Sequence, residues 1–126
     1  MIFKIITITI IFSFYSIAAQ AQTARINILS KYNLSSVMIT IESGIMKSDE
    51  ETFMLEKARI TINADKETMN IRHQGRIYNS KEIKISVNNY SLIYFGKNSK
   101  RKYPGDLTFI CRNDKLIIIN SCEFET

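Results

Sequence analysis

The chain has 126 residues, with 17 Lys and Arg against 12 Asp and Glu, which gives a formal net charge of +5. This length corresponds to a single domain and excludes a multidomain enzyme, a long solenoid and a polytopic membrane protein. Charged residues make up 23% of the chain and hydrophobic residues 45%. Because both values are close to globular averages, the composition also excludes a largely disordered protein.

Residues 1–21 have the three parts of a secretory signal peptide. Lys4 lies in a short basic start, residues 5–17 are apolar or hydroxylic throughout, and Ala19 and Ala21 form a small-x-small cleavage site. The apolar run is shorter than the ~20 residues that a membrane-spanning helix needs, so an uncleaved anchor is the weaker alternative. We therefore predict a cleaved signal helix, an exported mature domain starting near Gln22 (periplasmic or extracellular), and no membrane anchor after cleavage.

In the mature chain, apolar residues alternate with polar ones in short segments, which is typical of half-buried strands. Val37, Ile39 and Ile41 show this alternation, and turn residues such as Ser43-Gly44 and Asn63-Ala64-Asp65 separate the segments. The predicted strands cover residues 25–29, 36–41, 53–55, 58–63, 69–71, 83–87, 92–95, 107–111 and 116–119. Short strands at this spacing predict an all-β domain, either a small antiparallel sandwich or an open barrel.

Cys111 and Cys122 are the two cysteines, and export would favour a disulfide between them. A hairpin turn at Asn113-Asp114 places Cys111 opposite Leu116, so Cys122 lies further along the strand, ~20 Å away at ~3.3 Å per residue. A disulfide needs Cα atoms within ~7 Å of each other. Both cysteines are therefore expected to be free thiols.

Candidate catalytic and metal-binding groups are sparse. His73 is the one histidine and has no close-spaced second ligand, so it is interpreted as a half-exposed strand or turn residue. The acidic cluster Asp49-Glu50-Glu51 lacks the alternating oxygen ligands of a calcium loop and is interpreted as a solvated turn. From these residues we predict no metal, no cofactor and no catalytic group.

Lys97, Lys100, Arg101 and Lys102 form the one dense basic run, and Tyr103 follows it. A basic loop beside an aromatic residue can contact nucleic acid. Because an exported protein rarely meets nucleic acid, the run is interpreted as a solvated loop, or as a site of weak attraction to anionic envelope polymers. No nucleic-acid partner is predicted.

Two short motifs mark the C-terminal quarter of the chain. An Arg-x-Tyr-x-Gly-x-Leu segment precedes the predicted hairpin, and an Asn-x-x-x-Leu-Glu segment ends its second strand. The matching residues are Arg101, Tyr103, Gly105 and Leu107 for the first motif, and Asn120, Phe124 (in place of Leu) and Glu125 for the second. This arrangement resembles the stage II sporulation protein D family (SpoIID/LytB, the amidase-enhancer domain). Residues 25–29 look like the family's opening strand, and residues 36–44 look like the strand and turn that follow.

The resemblance implies an association with peptidoglycan, since the family contains lytic transglycosylases and enhancers of wall amidases. The family's catalytic Glu lies in a Tyr-x-x-Gly-Val-Val-x-x-Glu segment beyond the second motif, whereas this sequence ends at Thr126. Residues 22–126 are therefore expected to be a SpoIID-like domain truncated before its catalytic segment, a non-enzymatic fragment with peptidoglycan or a wall hydrolase as partner.

Two further expectations accompany this hypothesis. A truncated domain is expected to expose an apolar patch on Phe124 and on the strand from Leu116 to Ile119. The alternative hypothesis is a standalone periplasmic β-sandwich that acts as a binding module or as an inhibitor of a protein partner.

Overall fold

The computed structural model describes residues 22–124, so the predicted signal peptide with Ala19 and Ala21, and the motif residue Glu125, lie outside the described residues. Between these bounds the chain forms ten strands, one 3₁₀ turn at Ser30–Tyr32 and no α-helix. The described part of the chain therefore has no helix long and apolar enough to cross a membrane. The strands are β1 Gln22–Ile28, β2 Ser36–Lys47, β3 Thr52–Asp65, β4 Thr68–His73, β5 Arg76–Ser80, β6 Glu82–Val87, β7 Tyr90–Tyr94, β8 Lys100–Pro104, β9 Asp106–Arg112 and β10 Lys115–Phe124. The predicted all-β fold class is confirmed.

All strand pairs are antiparallel and belong to one sheet with the order β1-β10-β9-β6-β2-β3-β4-β5. Strands β6 and β7 pair one after the other with the same edge of β2, so that Gly44 faces Val87 on β6 and Ile41 faces Ser91 on β7. Strands β9 and β8 pair with the outer edges of β6 and β7 in the same manner. The sheet thus contains two long strands, β6–β7 and β8–β9, each interrupted once.

Strands β2 and β3 are also irregular, at the positions that lie beside these interruptions. The inward side of β2 shifts by one residue between Ile41 and Met46, which are both buried, and that of β3 shifts between Leu55 and Ala58. Lys57, within the β3 irregularity, has a positive φ of 45°. Glu42 and Lys57 are missing from the β2–β3 ladder, although the register is the same on both sides of them. Between the partners of Ile41 and Gly44, the β6–β7 strand has one residue more than β2. An extra residue of this kind bends a sheet and increases its twist, so this line lets one sheet turn back on itself.

Gly44 lies on this line of irregular residues. The sequence predicts a turn at Ser43-Gly44, but both residues lie inside β2, so that prediction is wrong, as is the turn expected at the end of residues 36–44. A Cβ atom on Gly44 would overlap the carbonyl oxygen of Ser86 on β6. The glycine therefore permits a close approach of two strands rather than a reversal of the chain.

The bent sheet encloses one aliphatic core, in which the largest fully buried side chain is that of Phe109. Strand β4 packs across this core on β9. The turn between β3 and β4 is tied to the turn between β9 and β10, since the main-chain N–H of Asp114 donates to the carbonyl of Lys66 at 2.9 Å. The other fully buried side chains are Ile39, Met46, Ile60, Ile62, Met69, Ile71, Ile83, Ile85, Ile93, Leu107 and Ile118.

The hairpin predicted at Asn113-Asp114 is confirmed, because β9 and β10 pair with Cys111 opposite Leu116. Cys111 is buried, Cys122 is half-buried, and both are free thiols. Burial raises the pKa of the Cys111 thiol. The turn predicted at residues 63–65 lies at residues 66–67 instead, since β3 continues through Asp65.

The apolar patch expected on residues 116–119 is absent. Leu116 is 8% exposed and Ile118 is 1% exposed. Strand β10 pairs with β9 on one side and with β1 on the other. The expectation is wrong for these residues because the side chains of Leu116 and Ile118 belong to the hydrophobic core. The side chain of Phe124 lies outside the described residues.

Candidate functional site

The two motif segments meet at the interruption between β8 and β9. Asn120 on β10 is 7% exposed, and its Nδ2 donates to the carbonyl of Pro104 at 2.8 Å and to that of Asp106 at 3.2 Å. The Sγ of Cys122 donates to Oδ1 of Asn120 at 3.3 Å. Both ends of the amide are therefore used inside the fold: the Nδ2 end holds the two residues that flank Gly105, and the Oδ1 end binds Cys122.

The remaining motif positions at this junction also build the fold. Gly105 has a φ of 79°, and a Cβ there would overlap the carbonyl oxygen of Ser121. Leu107 is fully buried, and Tyr103 packs half-buried against the core. The main chain of Phe124 pairs with β1. The part of the first motif that remains available to a ligand is Arg101.

Arg101 belongs to an aromatic cluster at the surface. Its Nη2 donates to the hydroxyl of Tyr32 at 3.1 Å, and its guanidinium carbon lies 5.7 Å from the ring centroids of both Tyr32 and Phe95. The two rings are tilted, with centroids 4.8 Å apart. Stacking of this kind fixes a guanidinium that would otherwise be mobile, and it joins the 3₁₀ turn to β8.

The basic run predicted as a solvated loop is a strand. Lys100, Arg101 and Lys102 lie in β8, which pairs only with β7 among the described strands, and only Lys97 lies in the loop between them. Because side chains alternate across a strand, Lys100 and Lys102 lie on the outer face and Arg101 on the opposite one. Lysines and Pro104 on an edge strand also discourage pairing with other chains.

His73 ends β4 and is only 6% exposed, so the prediction of a half-exposed histidine is wrong. Its ring packs edge-on to Phe53, with centroids 6.1 Å apart. Among the side chains that the structure describes, no three His, Cys, Asp or Glu groups lie close enough together to hold a metal ion. His73 is therefore part of an aromatic packing cluster, which Tyr78 completes at 4.9 Å from Phe53.

Asp49 has a structural role that its interpretation as a solvated turn residue missed. Its carboxylate accepts hydrogen bonds from the main-chain N–H groups of Lys81 at 2.6 Å and Glu82 at 3.3 Å, while its own N–H donates to Ser80 Oγ at 3.0 Å. The hydrogen bond from Lys81 lowers the pKa of the Asp49 carboxyl below its ordinary value of 3.8. Asp49 thus ties the β2–β3 turn to the connection between β5 and β6.

A shallow cleft of about 240 Å³ lies on the outer side of the sheet, where β3, β2 and β7 run side by side. The strand register assembles it, since Thr40 on β2 faces Arg59 on β3 and Leu92 on β7. The cleft lies at the line of irregular residues, and Lys57 with its positive φ is one of the residues that line it. Its lining consists of Thr40, Ile41, Glu42, Lys57, Ala58, Arg59, Tyr90 and Leu92.

The cleft combines two cations with one carboxylate. Lys57, Arg59 and Glu42 are all exposed. Among the residues that the structure describes, the one ion pair joins Lys84 to Glu82, so the cations of the cleft are not neutralised by an ion pair. A guanidinium or ammonium group without an ion-pair partner can bind a carboxylate or a phosphate group of a ligand.

Sequence reasoning missed the cleft. Its residues come from three strands, and each one looks like an ordinary solvent-facing residue in the sequence. The available signal was the pair Lys57 and Arg59 on either side of Ala58, where the predicted strand 58–63 begins, together with Glu42 directly after the predicted strand 36–41. Only the register between the strands brings these positions together.

Comparisons with protein-family models, with curated proteins and with solved structures found no match to this chain. Its function is accordingly inferred from the cleft, the motif junction and the distribution of charge.

Proposed function

We propose that this chain is an exported, non-catalytic β-domain that associates with peptidoglycan, the role implied by its resemblance to the SpoIID family. Peptidoglycan presents sugar hydroxyls together with carboxylates, which lie on its peptide stems or, where a stem has been removed, on its lactyl groups. The cleft between β3, β2 and β7 is the observation that carries the proposal, because it gathers cations, a hydroxyl and an aromatic side chain on one concave surface.

Each polar group of the cleft has a counterpart in that ligand. The guanidinium of Arg59 can bind a carboxylate through two parallel hydrogen bonds, and Lys57 adds a second positive charge. The hydroxyl of Thr40 and the carboxylate of Glu42 can hydrogen-bond to sugar hydroxyls. On the opposite wall, Tyr90 is held by the ammonium of Lys102, whose Nζ lies 4.1 Å from the ring centroid.

The same geometry favours binding over cleavage. Glycoside hydrolases generally place two carboxyl groups about 5–9.5 Å apart across the scissile bond. A general acid also needs surroundings that raise its pKa, usually an apolar pocket. Glu42 is the one carboxylate that lines the cleft, and it is exposed.

The proposal is tested by co-sedimentation of the purified protein with insoluble peptidoglycan, combined with an assay for released muropeptides. We expect the protein to pellet with peptidoglycan and to release no muropeptide. The double variant Lys57→Ser/Arg59→Ser should remain largely in the supernatant. The matched control Lys47→Ser/Arg112→Ser removes the same charge from exposed positions outside the cleft and should pellet like the wild type. A wild-type protein that stays in the supernatant, or that releases muropeptides, would contradict the proposal.

A second candidate, a binding module or inhibitor for a protein partner, is favoured by one apolar surface. Met54 is 89% exposed and lies directly opposite Ile45, which is 41% exposed. They border a groove of about 430 Å³ that also includes Leu55 and Gly44. This candidate predicts that Met54→Ser abolishes binding to a purified wall hydrolase, and that the wild type does not pellet with peptidoglycan.

A further inference from the structure

We propose that the outer face of β8, β7, β2, β3 and β4 binds a linear anionic glycan that lies across the strands and occupies two neighbouring subsites. We term this surface the basic face. Its cations are Lys57, Arg59, Arg72, Lys100 and Lys102, and uncharged side chains lie between them. The inference rests on the proposed function, because it names the surface and the extended ligand of that same binding activity.

The strand register places the cations at both sides of the basic face. Lys102 on β8 faces Leu92 on β7, which faces Thr40 on β2, which faces Arg59 on β3. With neighbouring strands ~4.8 Å apart, the row from β8 to β3 spans about 14 Å. One small sugar acid cannot reach both ends of this row.

A second row runs parallel to the first and extends one strand further. It starts at Lys100, passes Tyr94, Met38 and Thr61, and ends at Arg72 on β4. At the same spacing this row spans about 19 Å. The middle of the face is half-buried and uncharged, with cations at the two sides, which suits an extended ligand whose charges are spaced along its length.

A second cavity lies on the same face and shares no lining residue with the first cleft. It measures about 110 Å³ and is lined by Asn63, Asn70, Arg72 and Ile77. Arg72 supplies a cation, and Ile77, which is 63% exposed, supplies an apolar surface. The two asparagines supply amide donors, since their Oδ1 atoms already accept hydrogen bonds from Ser36 and Asn79. This combination repeats the chemistry of the cleft around Arg59, as expected for successive units of one polymer.

The distribution of acidic residues leaves the two cavities positive. Among the described residues, Glu42 is the only carboxylate in the lining of either cavity. The nearest other acids on β3 are Glu56, next to Lys57, and Asp65, two residues beyond Asn63, and neither of them lines the two cavities. The cluster Asp49-Glu50-Glu51 lies instead at the opposite end of the β2–β3 hairpin. Charge complementarity therefore favours an anionic ligand.

The aromatic residues of the face favour a glycan over a nucleic acid. Single-stranded nucleic acids bind by stacking bases on open aromatic rings. The ammonium of Lys102 lies over the ring of Tyr90 at 4.1 Å, and both Tyr90 and Tyr94 are half-buried. Amides, a hydroxyl and guanidinium groups predominate in the cavities, and these groups suit sugar hydroxyls and carboxylates.

The test measures affinity as a function of ligand length. The purified protein is titrated at fixed low ionic strength with peptide-free glycan strands of peptidoglycan, either a single disaccharide or long strands. We expect long strands to bind more tightly than the disaccharide. Arg59→Ser should weaken binding of both ligands by about tenfold, whereas Arg72→Ser should weaken binding of the long strands alone by about tenfold. Arg112→Ser is the matched control and should change neither affinity, and thermal melting should show that all variants are folded.

The outcomes separate this inference from the proposed function. If the wild type pellets with insoluble peptidoglycan but Arg59→Ser and Arg72→Ser bind as the wild type does, the basic face is not the site and this inference is overturned alone. If the wild type binds neither insoluble peptidoglycan nor glycan strands, the proposed function fails as well. If polyglutamate or oligodeoxythymidine binds as tightly as long glycan strands, only charge is recognised and the glycan assignment is wrong.

Discussion

The side-chain amide of Asn120 donates a 2.8 Å hydrogen bond to the main-chain carbonyl of Pro104, which joins β10 to the end of β8 although these strands share no ladder. The same amide binds the carbonyl of Asp106, the first residue of β9. Asn120 therefore holds the corner around Gly105 at which the long β8–β9 strand is interrupted. The two motif segments matter first for the architecture, and this architecture orients β8 and its lysines.

Replacing Asn120 by Ala is expected to destabilise the domain by about 1–3 kcal/mol, because two partly buried carbonyls lose their donor. The measurement is the free energy of unfolding from urea titration. Asn98→Ala in the exposed β7–β8 loop serves as the control and should change stability by less than about 0.5 kcal/mol. Equal stabilities for the two variants would show that the amide does not hold this corner.

Gly105→Ala should be far more destabilising than Gly75→Ala. Both glycines have similar positive φ values, 79° and 76°, but a Cβ on Gly105 overlaps the carbonyl of Ser121 whereas one on Gly75 meets no atom within 4 Å. The Gly75 variant should therefore lose only the ~1–2 kcal/mol of left-handed backbone strain. A larger loss for Gly105→Ala in thermal melts is the expected result, and similar losses would contradict the close approach.

The Asp49 carboxyl is expected to make stability depend on pH. Its pKa is lowered in the folded state, first by the hydrogen bond from the N–H of Lys81. A lowered pKa means that the stabilisation is present above the unfolded-state value, ~3.9, and is lost as the pH falls through the folded-state value.

Thermal melts of the wild type and Asp49→Asn should therefore differ near neutral pH and converge in acid. Glu50→Gln, an exposed neighbour, controls for the loss of a negative charge and should follow the wild type throughout. A gap between the wild type and Asp49→Asn that does not change with pH would refute this role for the charge.

Glu42→Gln distinguishes a binding cleft from a catalytic one. The change removes the one negative charge of the cleft and keeps an oxygen that can hydrogen-bond to a sugar. We expect affinity for anionic glycan strands to rise by roughly threefold to fivefold, the effect of ~1 kcal/mol of charge repulsion in water. Isothermal titration would show this gain. Unchanged affinity, together with loss of any wild-type muropeptide release, would instead indicate a catalytic carboxylate.

The alternation of apolar residues was sufficient to predict the all-β class, most of the strands and the hairpin at Asn113-Asp114. It failed where the period of two is broken. At Gly44 the glycine suggests a turn, yet it permits a close approach of two strands. At Lys57, which has a positive φ, the two predicted strands continue into each other as β3.

The candidate site depended on long-range register. Nothing local in the sequence indicates that Thr40 faces both Arg59 and Leu92. The basic run was recognised, but it was interpreted as a loop. Only the strand β8 shows that Lys100 and Lys102 lie on one face and Arg101 on the other. The two motif segments were noted from the sequence as well, and in the structure Asn120, Gly105 and Leu107 maintain the fold.

The most direct test of glycan binding without cleavage is an amide chemical-shift titration of the isotope-labelled protein with long peptide-free glycan strands. The account predicts shifts that concentrate at Thr40, Arg59, Arg72 and Tyr90, with an unchanged ligand spectrum after prolonged incubation. Shifts confined to the groove around Ile45 and Met54, no shifts at all, or new reducing ends in the ligand spectrum would contradict it.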